Sequence, residues 1–497
     1  MKLFYNAKFY SMNKEGEYYQ AVLTENGLIK DTFEKVPIIP GAEKIDLNNT
    51  FVYPGFVDTH THCFEGGFYS LSADLKNAVS LEEVFEILRA TEPINNKIFA
   101  SRFDENNIKE NRFPTAAELD KIFPDNYVLI RRVDGHSCAV NTKASKEIGK
   151  EIHLPKDFNG HLSGTANGRA SNWFHRNIPD DAILSAYNNA AEIAAEKGHT
   201  AVHTMIGDAR SDAKHYELIR NNISSFLVDF VLYPQITNVQ RALELGAKRI
   251  GGCVLADGSF GSHTAALTST YSGTKDNFGK LYRSDEEWTK FITDAHTNNL
   301  QAAIHCIGDA AILQILKIYE TVQHHKPKDL RHELIHCELI SDNMIQRITD
   351  AKVSAVMQPL FDRLWAGAGG LYEQNLGKER TSKTTRLASM YNSDVLVTGG
   401  SDWYITEMDA LAGIDAAVRI HNPKERLTPY QAVEIYTKNA AKLSHNENEF
   451  GMIATGLQAN LVCLEEDIFE SRNIKSIQIK NVVKSGKSIY NNLETKK

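Results

Sequence analysis

Eight apolar, strand-like runs recur along the middle of this 497-residue chain, and helical segments separate the later ones. They begin near Phe51, Thr200, Phe226, Arg249, Gln301, His332, Lys352 and Asp394. DEEWTKFITDAHTNN, DAAILQILKIYETVQ and SDNMIQRITDAK carry apolar residues at three- and four-residue spacing, as amphipathic helices do. Strands and helices in this alternation pack as a parallel sheet covered by helices, and eight of them suit a (β/α)8 TIM barrel. The expected fold class is α/β, with the chemistry at the C-terminal ends of the strands.

Two additions interrupt the pattern. Both ends of the chain show short alternating runs (LFYNAKFYSM, YYQAVLTENGLIK; LVCLEED, IKSIQIKNVVKSG), with Glu25-Asn26-Gly27 and Gly486 as turn signals. Neither end alone has enough strands to bury a face, so residues 1–54 and 440–497 are expected to build one composite β domain. The barrel then takes 55–66 and 191–439. The gap between the first two barrel strands is too long for one crossover, so residues 67–190 are expected to form an inserted subdomain. It contains SLEEVFEILRAT, TAAELDKIF and the strand-like YVLIRRV. An insertion after the first strand is expected over the barrel mouth, as a substrate-shaping lid.

Composition narrows the partners. A net charge of −8 provides no basic face for nucleic acid or anionic lipid, and no window approaches a membrane span. The N-terminal residues lack the apolar core of a secretory signal. Six cysteines without a CxxC pair fit a reducing compartment. A cytoplasmic protein acting on a small molecule, with neither nucleic acid nor membrane as partner, is expected.

The first run ends in Asp58-Thr59-His60-Thr61-His62. Residues two apart on a strand share a face, so His60 and His62 can converge on one cation. Alone, such a pair can also be two neighbouring histidines and nothing more. But His305 ends QAAIH, His336 ends ELIH, and Asp402 follows LVTGGS, all at C-terminal ends of expected barrel strands. Four imidazoles and a carboxylate facing one opening are the ligand set of a zinc-type cation. Such a cation lowers the pKa of its water to roughly 7. Asp402 can then act as general base and pass the proton to a leaving nitrogen.

The motifs PGFVDTHTH, ADGSFGSHTAAL, HCIGDAA, IHCELI, GSDW and GMIATGLQANLVCL resemble the amidohydrolase superfamily, specifically its family 3, with YtcJ-like proteins and N-substituted formamide deformylase. FPTAAELDKIFPDNYVLIRRVDGHSCAVN is similar to that group's inserted stretch. The resemblance implies a distorted TIM barrel with a composite β-sandwich, one or two divalent metal ions (zinc in first place), and hydrolysis of a non-peptide C–N bond. By matching position it makes His60, His62, His305, His336 and Asp402 metal ligands, and it allows a homodimer.

The chain departs from the family pattern where many relatives carry a carboxylatable lysine, because that position is Cys253. Cys253 is therefore either a thiolate ligand or a core filler beside a single ion. Ile335, Phe361 and the Gly164–Gly168 segment also replace more polar residues, which suggests a less polar pocket. His136, Asp257 and Trp403 are the expected substrate contacts, Asp257 being able to orient a ligand instead, and Arg131-Arg132 could pair a substrate carboxylate. Two alternatives stay open, a deaminase or cyclic amidase with the same ligands and a non-catalytic binding protein on a degenerate barrel.

Overall fold

A computed structural model describes residues 1–133, 137–154, 158–175, 178–207, 213 and 215–493. The chain divides into two compact units, Met1–His62 with Ala191–Lys497, and Cys63–Ala190.

In the first unit, strands from both ends of the chain join in one seven-stranded sheet. Its centre is a parallel pair, Lys2–Tyr10 beside Glu43–Pro54. Leu461–Leu464 adds to Glu43–Pro54 from the C-terminal side. Asn26 and Gly27 both take positive φ (54° and 84°), as a two-residue hairpin loop requires, and so do Ser485 and Gly486.

The barrel strands are Phe56–Thr61, His199–Ile206, Asp229–Pro234, Arg249–Leu255, Gln301–Cys306, Glu333–His336, Ser354–Met357 and Leu396–Gly399. All pair in parallel, the first three in one hydrogen-bonded arc and the other five in a second. Side chains and loops bridge the two seams. Gln235 Nε2 donates to the Cys253 carbonyl at 2.9 Å, and Thr59 Oγ1 donates to the Gly399 carbonyl at 2.9 Å. The apolar run that begins at Phe51 is divided between two sheets, and the first barrel strand takes only its second half, from Phe56. Residues 51–54 are taken by the terminal sheet, where Leu461–Leu464 pairs with them, and the chain re-aims at Gly55. A Cβ there would stand 2.3 Å from the Thr200 side chain.

The helical stretches form as expected, and polar caps start them. Ser284 and Glu287 make a reciprocal capping box for Asp285–Thr297, and Ser341 caps Asp342–Asp350. The strands carrying His305 and His336 are clamped at their other ends by a histidine chain. The Ala302 N–H donates to His332 Nδ1 (3.0 Å), His332 Nε2 meets His296 Nδ1 (2.9 Å), and His296 Nε2 meets the Lys326 carbonyl (2.7 Å).

In the second unit, a five-stranded sheet includes Lys97–Phe103, Tyr127–Arg132 and Ser137–Val140. The helices Leu81–Arg89 and Ala116–Ile122 lie at the expected stretches, and Leu81, Val84, Leu88 and Leu119 fill the core with Val128 and Ile130.

The fourth barrel strand holds the irregularity that matters most for the site. Its register jumps between Gly251 and Val254, leaving Gly252-Cys253 as a bulge. Gly251 has φ +94°, and a Cβ there would lie 2.2 Å from the Ala303 carbonyl oxygen. Gly251→Ala is expected to destabilise the protein by about 1–3 kcal/mol. Urea unfolding checks this, and unchanged stability would contradict the close approach.

Burial lowers the His332 pKa from 6.5 to about 3, reinforced by charge on His296 and Lys328. In the unfolded chain His332 takes up a proton below pH 6.5, whereas in the fold it stays neutral until about pH 3. Its contribution to stability is therefore complete above that window and declines as pH falls through it. Urea midpoints measured at several pH values should decline more steeply for the wild type than for His332→Asn, which keeps an acceptor but does not titrate.

Candidate metal centre

The first barrel strand aims its two histidines through its pleat, and the loop after the eighth strand holds them. His60 donates its backbone N–H to Asp58 Oδ1 (3.1 Å), and its carbonyl accepts from the Asp402 N–H (2.8 Å). The His62 N–H donates to the Trp403 carbonyl at 2.5 Å. Asp58 Oδ1 also accepts from the Ser401 N–H, so one buried carboxylate ties the two loops together. Gly400 is required by this packing, because a Cβ would stand 2.8 Å from the His60 nitrogen. The result brings both Nε2 atoms within 3.2 Å of the same Asp402 oxygen.

Cys253, His305 and His336 complete the cluster. Cys253 Sγ lies 3.9 Å from His305 Nδ1, and the His305 and His336 rings are 4.6 Å apart. Three overlapping trios, His60–His62–Cys253, Cys253–His305–His336 and His60–His336–Asp402, each have donor atoms within 4.8 Å of one another. Outer partners orient the rings. The Gly258 carbonyl accepts from His305 Nε2 at 3.1 Å, which turns Nδ1 toward Cys253. Gln358 Oε1 meets His336 Nδ1 at 2.6 Å, which leaves Nε2 for the centre. His336 and Asp402 hold positive φ (70° and 54°), the kind of backbone strain that functional sites retain.

Burial pushes the Asp402 carboxyl up, yet His60 and His62 outweigh it and hold it well below the usual carboxylate range. Burial likewise opposes ionising Cys253, but the surrounding imidazoles, His305 first, bring its thiol well below the ordinary value. Against the opposite effect of burial, Asp402 and Cys253 raise His60 to about 9 and raise His62 strongly. Two anions among proton-binding imidazoles form the charge pattern of a cation site, because a dication supplies the positive charge that ring protons otherwise carry. Both ring nitrogens of His60 and Asp402 Oδ1 are buried without an aligned hydrogen-bond partner. These orphaned donors, with their mixed N, S and O chemistry, fit a transition-metal dication.

The other residues singled out from the sequence are placed differently. Asp257 is fully buried and accepts backbone N–H groups from Ala266, Ile307 and Gly308 at 2.8–3.0 Å, and its Oδ1 stands 3.6 Å from His305 Nε2, so it faces a ring of the metal centre and does not line the cavity. Trp403 is buried and does not line the cavity, whereas its neighbours Tyr404 and Ile405 do. His136 lies outside the described residues. Arg132 pairs with Glu105 at 2.9 Å.

A cavity of about 480 Å³ opens on His62, Cys253, His305, His336 and Asp402. Its remaining wall is chiefly apolar, with Phe260, Phe361, Trp365 and Tyr372 among the lining residues. Phe361 stacks on His336 with ring centres 5.7 Å apart. Sequence reasoning missed Glu338, which lines the cavity and whose carboxyl burial pushes up to about 8. Its place two residues after His336 in IHCELI was a usable signal. Gln358 was missed as well, although it directly follows the seventh barrel strand.

A model described as the amidohydrolase family matches residues 43–490. The chain is 28% identical to the candidate amidohydrolase YtcJ of Bacillus subtilis (strain 168), over 99% of both chains. It is 26% identical to the N-substituted formamide deformylase of Arthrobacter pascens, over 93% of each. In fold it is similar to an uncharacterized metal-dependent hydrolase from Pyrococcus furiosus, with a TM-score of 0.82 at 23% identity, covering 94% of this chain and 100% of that one. The family match takes in all the barrel strands and all six clustered donors, so the chain belongs to the amidohydrolase family and is a hydrolase acting on carbon–nitrogen bonds.

Proposed function

We propose that the protein hydrolyses an amide or formamide-type bond of a small molecule, with His60, His62, Cys253, His305, His336 and Asp402 holding one or two zinc-type ions. The observation that carries this reading is the clustering of the six donors, five of which (His62, Cys253, His305, His336 and Asp402) open onto one cavity while His60 lies behind them. The formamide chemistry is suggested by the name of the Arthrobacter pascens relative. A bound ion of this class supplies Lewis acidity, polarising a carbonyl and acidifying water.

The chain's own residues do the rest. Asp402, kept ionised by His60 and His62, accepts a proton from the attacking water and returns it to the departing nitrogen. Its position 3.2 Å from both imidazoles keeps the carboxylate fixed while the proton is transferred. Gln358 and the Gly258 carbonyl hold the His336 and His305 rings in their tautomers. Phe361, Trp365 and Tyr372 limit bulk water and favour an apolar substituent. A cytoplasmic location is part of the proposal. All six cysteines are free and buried, as a reducing compartment allows, and no helix among the described residues is long and apolar enough to cross a membrane.

Asp402→Asn is expected to lower turnover of a panel of N-substituted formamides and anilides by about 10²–10⁴-fold while leaving the fold intact. Parallel rates and circular dichroism test this, and undiminished turnover in the variant would remove Asp402 from the mechanism. Cys253 is tested by spectroscopy. Cobalt(II)-loaded wild type should show a thiolate-to-metal charge-transfer band in the near ultraviolet, and Cys253→Ser should lose it. A wild-type spectrum without the band would make Cys253 a core residue.

A further inference from the structure

Glu338 is unlike every other residue on the cavity wall. It is only 3% exposed, and neither carboxylate oxygen has an aligned hydrogen-bond donor, although the Tyr372 phenol stands beside it. It is outside the three donor trios of the metal centre. No lysine or arginine among the described residues lines the cavity. The positive charge that reaches it comes from the His305 ring of the metal centre. A carboxyl buried in this way is otherwise driven to hold a proton, and a cation bound beside it in the cavity would take the proton's place.

Four aromatic rings that line the same cavity pack against one another, and one of them, Tyr372, stands beside Glu338. Phe361 and Trp365 lie 4.6 Å apart, Phe260 and Tyr372 5.0 Å, and Trp365 and Tyr372 6.2 Å. The faces of such rings attract cations, and a cage of them with one acid is the chemistry that holds an alkylated ammonium. Neutral apolar groups would be accepted by the rings but would leave Glu338 unpaired.

We infer that Glu338 and the aromatic wall form a subsite for a positively charged ammonium group, so that the substrate is an amide carrying an amine or quaternary ammonium substituent. The inference rests on the proposed reading of this cavity as the substrate site. Glu338 then determines specificity, and the proton transfer remains with Asp402. The cation takes the place of the proton on Glu338 and fixes which end of the substrate faces His305 and His336.

The test is calorimetric titration of the metal-loaded protein with choline and with 3,3-dimethylbutan-1-ol, which has the same shape but carbon in place of the charged nitrogen. Choline should bind at least about tenfold more tightly. Glu338→Gln should bring the two affinities close together by weakening choline alone, and Trp365→Leu should weaken choline more than the alcohol. Equal affinities in the wild type, no choline binding at millimolar concentration, or a preference that survives Glu338→Gln would each overturn the inference. The wild-type comparison needs no variant to fold. Binding is read without turnover, so a choline preference in a protein that hydrolyses no amide would count against the proposed reaction and leave the subsite standing.

Discussion

The metal centre turns on the attraction between Asp402 and the two first-strand histidines. The strands all run in one direction, so their C-terminal ends share one face, and the loop after the last strand reaches the end of the first. The backbone bond from Asp402 to the His60 carbonyl closes that seam, and the carboxylate gathers both imidazoles onto one oxygen. Without opposite charge nearby, a buried carboxylate would be driven to protonate. Here the imidazoles hold it ionised, and the same balance of charge makes the pocket receptive to a dication.

The backbone is irregular where the donors are presented. Regular strands alternate their side chains, so the fourth strand would not deliver Cys253 to the centre without the bulge that Gly251 and Gly252 permit. His336 and Asp402 adopt left-handed conformations that cost energy and persist only because the surrounding packing holds them. The regular parts of the barrel lie elsewhere, in the buried strand cores and at the hydrogen-bonded chain that joins His332 to His296. Strain at one end of the strands and tight bonding at the other let a stable scaffold carry a demanding site.

The cavity has two characters. Its floor is crowded with donors, and its walls are aromatic and aliphatic, interrupted by Glu338. An apolar wall strengthens every charge interaction made inside it, because little water remains to screen it. A carboxyl at such a wall has a large effect on what can enter, whereas the same group on the outer surface would be nearly neutral in energy.

Much of this was legible in the residues alone. The order of apolar runs and helices dictated the α/β class, and His60, His62, His305, His336 and Asp402 could be marked because each ends a strand whose direction is implied by its neighbours. These features depend on local periodicity, which the chain carries in itself. The apolar run that begins at Phe51 does not itself show where one sheet ends and the other begins, because the pairing of residues 51–54 with Leu461–Leu464, some four hundred positions away, is what holds them in the terminal sheet. The inward turn of Cys253, the withdrawal of Asp257 from the cavity and the solitary position of Glu338 were likewise decided by tertiary structure. Each depends on bulges, loop hydrogen bonds and neighbours distant in sequence, and no local pattern encodes them.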